Sequence, residues 1–277
     1  MSSTFLHLAG DGEPVYFSHA NGFPAGVYEP FLTVLNQKFE IFAVQNRATQ
    51  VNAGQPDHNN WDIFADDLIQ QIETQGKPVI AIGHSLGASC TVLAAIKRPD
   101  LFKALILIEP AMLSFSMSLL FKFAPKKVIR DSKLVQGTLN KPDTWNTRDE
   151  YLTYIKKFKG YKKFSEQSYE DFADHAIRKE GEAFTLAFPK TWEAHNYTMA
   201  PYLMNNFNRL DKLNVPTIAI RGASNMFFSD KLWEKWQAKQ PKAIFLEDKN
   251  FAHLIPLEGP RECMALVNAG LKALNIA

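Results

Sequence analysis

The stretch Pro78-Val79-Ile80-Ala81-Ile82-Gly83-His84-Ser85-Leu86-Gly87 constrains this chain most, because an unbroken apolar run ends there in a turn and passes at once into a second apolar stretch. In that second stretch Leu86, Val92, Leu93 and Ile96 recur at helical spacing, so the order predicted is strand, sharp turn, helix. Glycine at positions 83 and 87 lets the two elements approach without Cβ clashes, and the turn exposes Ser85 at the sheet edge in a strained backbone. A serine oxygen at a helix N-terminus meets free N–H groups and the positive end of the helix dipole. Those surroundings favour the negative charge that develops during acyl transfer. In this setting G-x-S-x-G points to a nucleophilic serine, whereas the same five residues in an ordinary tight turn would carry no chemistry.

Five further apolar runs read as strands: Pro14 to Ser18, Phe39 to Val44, Ala104 to Ile108, Val215 to Ile220 and Lys242 to Leu246. Several are continuous rather than alternating, which suits a parallel sheet covered on both faces. Between them Trp61, Phe64, Leu68 and Ile72, and later Leu232, Trp233 and Trp236, recur at helical spacing. The fold predicted is α/β: an open, doubly wound, mostly parallel sheet with its sites at the carboxyl ends of the strands. From about Ala111 to Leu210 the alternation stops. No convincing strand reads out there, and aromatic and basic residues crowd short helical segments. Phe121 to Lys163 alone holds twelve Lys or Arg against four Asp or Glu. The division expected is a core of residues 1–110 and 211–277 with a helical insertion at 111–210.

A formal net charge of +2 over 277 residues gives no overall pull toward nucleic acid. The basic stretch is then a local feature: a solvated face, or a surface for acidic substrates, membranes or a partner. No apolar run approaches the roughly 20 residues of a membrane span, and Met1-Ser2-Ser3-Thr4 lacks a basic leader, so a soluble, cytoplasmic protein is expected. Cys90 and Cys263 lie in apolar helical patterns and read as buried free thiols. With no H-E-x-x-H, no close His/Cys cluster and no G-x-G-x-x-G after the first strand, neither a metal nor a dinucleotide cofactor is expected.

With its elbow set in such a sheet, the chain resembles the α/β-hydrolase family. Ser18-His19-Ala20-Asn21-Gly22-Phe23-Pro24 follows an early strand, where that family carries an H-G-x-P-like oxyanion loop; here Ala20 replaces the usual Gly. The elbow itself offers the Leu86 N–H as one oxyanion donor, and the resemblance implies that the Asn21 N–H is the second, while His19 braces the loop. Near the C-terminus Phe251-Ala252-His253-Leu254-Ile255-Pro256-Leu257-Glu258 is similar to the family's G-H-x-x-x-x-E and implies His253 as the general base. A neutral imidazole can take the serine proton near pH 7 and return it to the leaving group. His84 should point away from Ser85 and serve packing or support.

The acid departs from the family pattern. Where the family generally has Gly-x-x-Asp, this chain reads Gly222-Ala223-Ser224-Asn225. Asn225 could hold the ring by hydrogen bonding but brings no negative charge, and it is kept as a possible substitute in the acid position. The run Ala104 to Ile108 ends at Glu109-Pro110, where some family members place the acid, so Glu109 is the leading candidate. It also preserves the chain order Ser, acid, His. Asp230 ranks behind both, because Ser229-Asp230 reads as a helix cap.

The function predicted is a cofactor-independent, esterase-like serine hydrolase that cleaves an ester or similarly activated carbonyl through an acyl-serine intermediate. Carbon–carbon bond hydrolases and perhydrolases keep the serine and stay open. A non-catalytic binding protein on the same scaffold is the alternative from another class, motivated by Asn225. The insertion, a helical lid in this reading, carries Phe115, Phe121, Trp145, Tyr151, Tyr161 and Trp192 among its aromatics. That suits a small-molecule substrate with an apolar acyl or alcohol part.

Overall fold

The computed structural model describes residues 5–44, 46–50, 53–112, 123–199, 210–225 and 228–276. Its strands in chain order are β1 (Phe5–Leu8), β2 (Pro14–Ser18), β3 (Glu40–Val44), β4 (Val79–His84), β5 (Phe102–Ile108), β6 (Thr144–Trp145), β7 (Ile177–Glu180), β8 (Ala183–Leu186), β9 (Thr217–Arg221) and β10 (Ile244–Glu247). Seven of them make the main sheet, in the order β1-β3-β2-β4-β5-β9-β10. Neighbours run parallel except β1 and β3, where Phe5 lies opposite Val44 and Leu8 opposite Ile41.

The continuous apolar runs form strands because both faces of the sheet are covered. Every residue of β2, β4 and β9 is buried, and successive side chains feed two separate cores. Phe17, Ile82, Ile106 and Ile220 pack with Phe31 and Leu35 of α1 (Glu29–Asn36) and with Val267 and Leu271 of the helix Pro260–Ala273. Tyr16, Ala81, Leu107 and Ala219 face the other way. They meet Phe64 and Leu68 of α2 (Asp62–Glu73), Val92 of α3 (Leu86–Lys97) and Trp236 of the helix Asp230–Lys239. Each large apolar side chain so buried contributes roughly 1.5–3 kcal/mol against the entropy of ordering the chain. α3 is buried from Leu86 to Ala95, which its apolar surface on all sides requires.

β1 is absent from the runs read as strands above. Its four residues, Phe-Leu-His-Leu, are too few to show a period, and pairing with β3 at the sheet edge makes the strand.

The expectation that 111–210 holds no strand is corrected. β6, β8 and β7 form a three-stranded antiparallel sheet there. β7 and β8 are joined by the two-residue turn Gly181-Glu182, with Gly181 at φ +63°, the backbone that a Gly-X hairpin demands. Only Ile177 of these two strands is buried, so no apolar run marks them. The α-helices among the described residues of this segment are Lys126–Arg130, Lys133–Leu139, Arg148–Ile155, Glu166–Ala176 and Lys190–Thr198. Ser132, Thr147 and Ser165 cap three of them, each hydroxyl accepting from the N–H three residues on. Phe115 and Phe121 lie outside the described residues. Among those described, no helix is long and apolar enough to cross a membrane.

Candidate active site

β4 ends at His84 and α3 begins at Leu86; Ser85 between them has φ +53° and ψ −116°, a conformation few side chains tolerate. Three backbone bonds hold it. Its N–H donates to the Ile108 carbonyl at 3.0 Å, and its carbonyl accepts from Ser89 and Ala111 at 3.1 and 3.2 Å. A Cβ on Gly83 would stand 2.4 Å from Ala88 Cα, and one on Gly87 2.1 Å from the Ser18 oxygen. No larger residue fits on either side of the turn.

The carboxyl ends of β4, β5 and β9 and the loop after β10 bring Ser85, Glu109, Asn225 and His253 together. His253 Nε2 lies 3.0 Å from Ser85 Oγ, and its Nδ1 lies 3.0 Å from Glu109 Oε2. Glu109 has no solvent exposure. Its Oε1 accepts from the Gly222 N–H at 2.6 Å and its Oε2 from Asn225 Nδ2 at 2.9 Å, so three donors compensate the burial of the carboxylate. Glu109 also has φ +45°. Among the described residues the non-glycines with positive φ are Ser85, Glu109 and Asn275, and two of the three sit in this row. Backbone strain of that kind costs about 1–3 kcal/mol and gathers at functional sites.

Asn225 does not stand in the acid's place. Its amide donates to Glu109, and its Oδ1 accepts from the Phe228 N–H at 3.0 Å. At His253 Nδ1 the structure places the Glu109 carboxylate, from the neighbouring strand, and the Asn225 amide lies on that same carboxylate. Asp230 pairs instead with Arg221 at 2.8 Å.

Supporting residues come from all sides. Glu258 Oε2 accepts from the Ala252 N–H at 2.6 Å and so fixes the loop bearing His253, and burial pushes its carboxyl above the ordinary range. Leu86 is the first residue of α3, where helical geometry leaves backbone N–H groups without intrahelical partners. In the loop after β2, His19 Nδ1 donates to the Ala20 carbonyl at 2.8 Å and its Nε2 accepts from the Asn46 N–H at 3.1 Å. The side chain of Asn21 is engaged with the inserted segment. Its Nδ2 donates to the Glu193 carbonyl at 3.0 Å, and its Oδ1 accepts from Asn196 Nδ2 at 2.8 Å. Asn196 is fully buried and also accepts from His58 Nε2 at 2.8 Å. An asparagine in a helical segment carries no positional signal, so nothing in the sequence singled out Asn196.

Burial pushes the His19 imidazole down to about 4 and that of His84, also facing His253, down to about 3. Both rings therefore bind protons more weakly folded than unfolded. Their contribution to stability is complete above the unfolded value near 6.5 and is lost as pH falls toward 4 and 3. Stability at pH 5 should be lower than at pH 7 by roughly 3–4 kcal/mol from these two groups. Urea unfolding at the two pH values measures the difference, and equal stabilities would contradict the burial of two neutral rings.

A sequence profile of the alpha/beta hydrolase fold matches residues 20–260. The chain is similar to a 2-(acetamidomethylene)succinate hydrolase of Mesorhizobium japonicum, 32% identical over 101 residues, covering 36% of each protein. It is also similar to the monoglyceride lipase of Rattus norvegicus, 31% identical over 111 residues, 36% of this chain and 35% of the lipase. It thus spans about a third of the length of these curated relatives. Among solved structures, an E-2-(acetamidomethylene)succinate hydrolase superposes with a TM-score of 0.79 at 17% identity, over 97% of this chain and 99% of the other. The peroxisomal α/β-hydrolase Lpx1 of Saccharomyces cerevisiae superposes at 0.77 and 17% identity, over 95% and 77%. At these identities the structural likeness is one of fold, and it agrees with the profile match across most of the chain: this protein belongs to the α/β-hydrolase family.

Proposed function

We propose that the protein is a cofactor-independent serine hydrolase of esterase type, acting on a small molecule with an apolar acyl or alcohol part. The reading rests on the row Ser85, His253, Glu109, two contacts of 3.0 Å that begin at a serine held in strained backbone at a helix N-terminus. His253 takes the Ser85 proton as Oγ attacks the carbonyl carbon, and the N–H groups of Leu86 and Asn21 receive the resulting oxyanion. The tetrahedral intermediate collapses as His253 protonates the leaving alcohol, giving acyl-Ser85. Water, deprotonated by the same imidazole, then releases the acid. Glu109 keeps the Nδ1 proton facing itself and balances the imidazolium. The relatives' names, a lipase and a hydrolase, support hydrolysis as the reaction class. The non-catalytic alternative drew on Asn225, and the carboxylate of Glu109 beside the imidazole supports the catalytic reading over it.

Residues 111–210 are read as a lid. Trp145, Tyr151 and Trp192 are buried; Trp145 and Tyr151 meet edge-on at 4.6 Å within the insertion, while Trp192 stacks on His58 and donates to the Gly54 carbonyl, outside it. Hydrolysis of p-nitrophenyl esters of increasing acyl length tests both parts of the proposal. kcat/KM should rise as the pH is raised from about 5.5 to 8, because the base must be neutral in the free enzyme. The His253→Ala variant should lose that limb along with the activity. A flat profile between pH 5.5 and 8 contradicts a histidine base.

A further inference from the structure

Tyr28 and His84 have no solvent exposure and stand between two parts of the proposed machinery that are more than two hundred residues apart in the chain. Tyr28 Oη lies 3.2 Å from the Ala20 N and 2.6 Å from His84 Nδ1, and His84 Nε2 lies 2.8 Å from the His253 carbonyl oxygen. The direction of every proton in this chain of bonds is forced. A carbonyl only accepts, so His84 carries its proton on Nε2; the neutral ring then accepts at Nδ1, and Tyr28 must donate there. That leaves the phenol's lone pairs for the Ala20 N–H. Burial holds His84 far below the ordinary histidine range and pushes the Tyr28 hydroxyl up, so the arrangement persists across the working pH range.

Both ends matter to the reaction proposed above. The N–H of Ala20 is fixed by Tyr28 and its carbonyl by His19, and a trans peptide directs the Asn21 N–H opposite to that carbonyl. The peptide carrying the Asn21 N–H is therefore clamped on both flanks. At the other end the bond to the His253 carbonyl fixes the backbone of a residue whose ring must meet Ser85 and Glu109 at once. The middle member, His84, is the residue before the nucleophile.

We propose that Tyr28 and His84 are positioning residues: their buried hydrogen-bond chain, from the Ala20 N–H to the His253 carbonyl, holds the oxyanion loop and the general base in register with each other. This rests on the roles assigned above to Ser85, His253 and Asn21. Register matters most where one species touches both ends, and only the tetrahedral intermediate does so; ester binding in the ground state does not. Loss of the chain should appear in kcat, with KM little changed.

Tyr28→Phe keeps the ring that packs on Phe17 and His84 and deletes only the hydroxyl that joins the chain. We expect kcat for a p-nitrophenyl ester to fall about 10-fold to 100-fold with KM within about threefold. The inhibition constant of a boronic acid that forms a tetrahedral adduct on Ser85 should rise by the factor lost in kcat/KM. Tyr16→Phe is the control: its phenol bonds to the Gln71 carbonyl and the Gln75 amide, and its loss should lower stability without moving kcat or boronate affinity. A second measurement needs no variant. Nitrogen-15 NMR of the wild-type protein should find His84 as the Nε2–H tautomer, and an Nδ1–H tautomer would overturn the chain even if Tyr28→Phe does not fold. Fluorophosphonate labelling separates the failures. If wild type labels at Ser85 while Tyr28→Phe turns over and binds boronate like wild type, the positioning role is overturned and the reading of the site stands. If wild type is not labelled at Ser85, both fall.

Discussion

Ser85→Ala is expected to lower kcat by at least about 10³-fold, because it removes the atom that forms the covalent bond to substrate while leaving the oxyanion donors in place. The fold should survive. The hydroxyl lies against His253, its removal takes away a single polar atom outside the two hydrophobic cores, and alanine inherits the backbone that three hydrogen bonds already hold. Melting should shift by no more than about 2–3 °C. Steady-state hydrolysis of a p-nitrophenyl ester beside a thermal melt reads both quantities. A variant that keeps most of its activity with unchanged melting removes Ser85 from the mechanism.

Glu109→Gln is expected to be the second most severe change, lowering kcat on the order of 10²-fold or more. The carboxylate accepts three N–H groups with two oxygens, whereas a glutamine presents one oxygen and an NH2 group. Whichever way the amide turns, a donor faces a donor, either at the Gly222 N–H or at His253 Nδ1 and Asn225. The imidazolium also loses its counter-charge in a partly dry site, where charge counts most. Stability should fall as well, since a buried donor left without a partner costs about 1–3 kcal/mol. Asn225→Asp is the informative companion. It replaces a donor 2.9 Å from Glu109 by a second carboxylate, and two acids at that spacing disturb each other's ionisation, so activity should drop. If Asn225→Asp instead raised activity more than tenfold while Glu109→Gln did almost nothing, Glu109 would not be the acid.

The parts of the site legible in the sequence are those tied to a strand end. Ser85 stands out because Gly83 and Gly87 flank it between an apolar run and a helix, and the structure shows why neither glycine tolerates a side chain. Glu109 could be named because it follows Ile108, the last residue of β5, at the same edge of the sheet as Ser85. Leu86 followed from its place at the start of the helix after Ser85, whereas Asn21, His253 and the choice of Glu109 as the acid drew on the family resemblance. What stayed hidden depends on chain segments meeting from a distance. β1 exists by pairing with β3, and the β7–β8 hairpin has only the Gly181 turn as its signal. Tyr28 and Asn196 matter through bonds to residues 56 and 175 positions away, and the supporting role expected of His84 runs through a carbonyl 169 positions away. Periodicity cannot report such pairings, since the same residue types serve as ordinary core or cap elsewhere.

The most direct test of the central claim, that Ser85 is a nucleophile activated by His253, is mass spectrometry of the protein after reaction with a fluorophosphonate. The account predicts one phosphonyl group per chain, carried on the peptide containing Ser85, absent from Ser85→Ala and formed far more slowly in His253→Ala. An unmodified wild-type chain, or an adduct on any other residue, would contradict it.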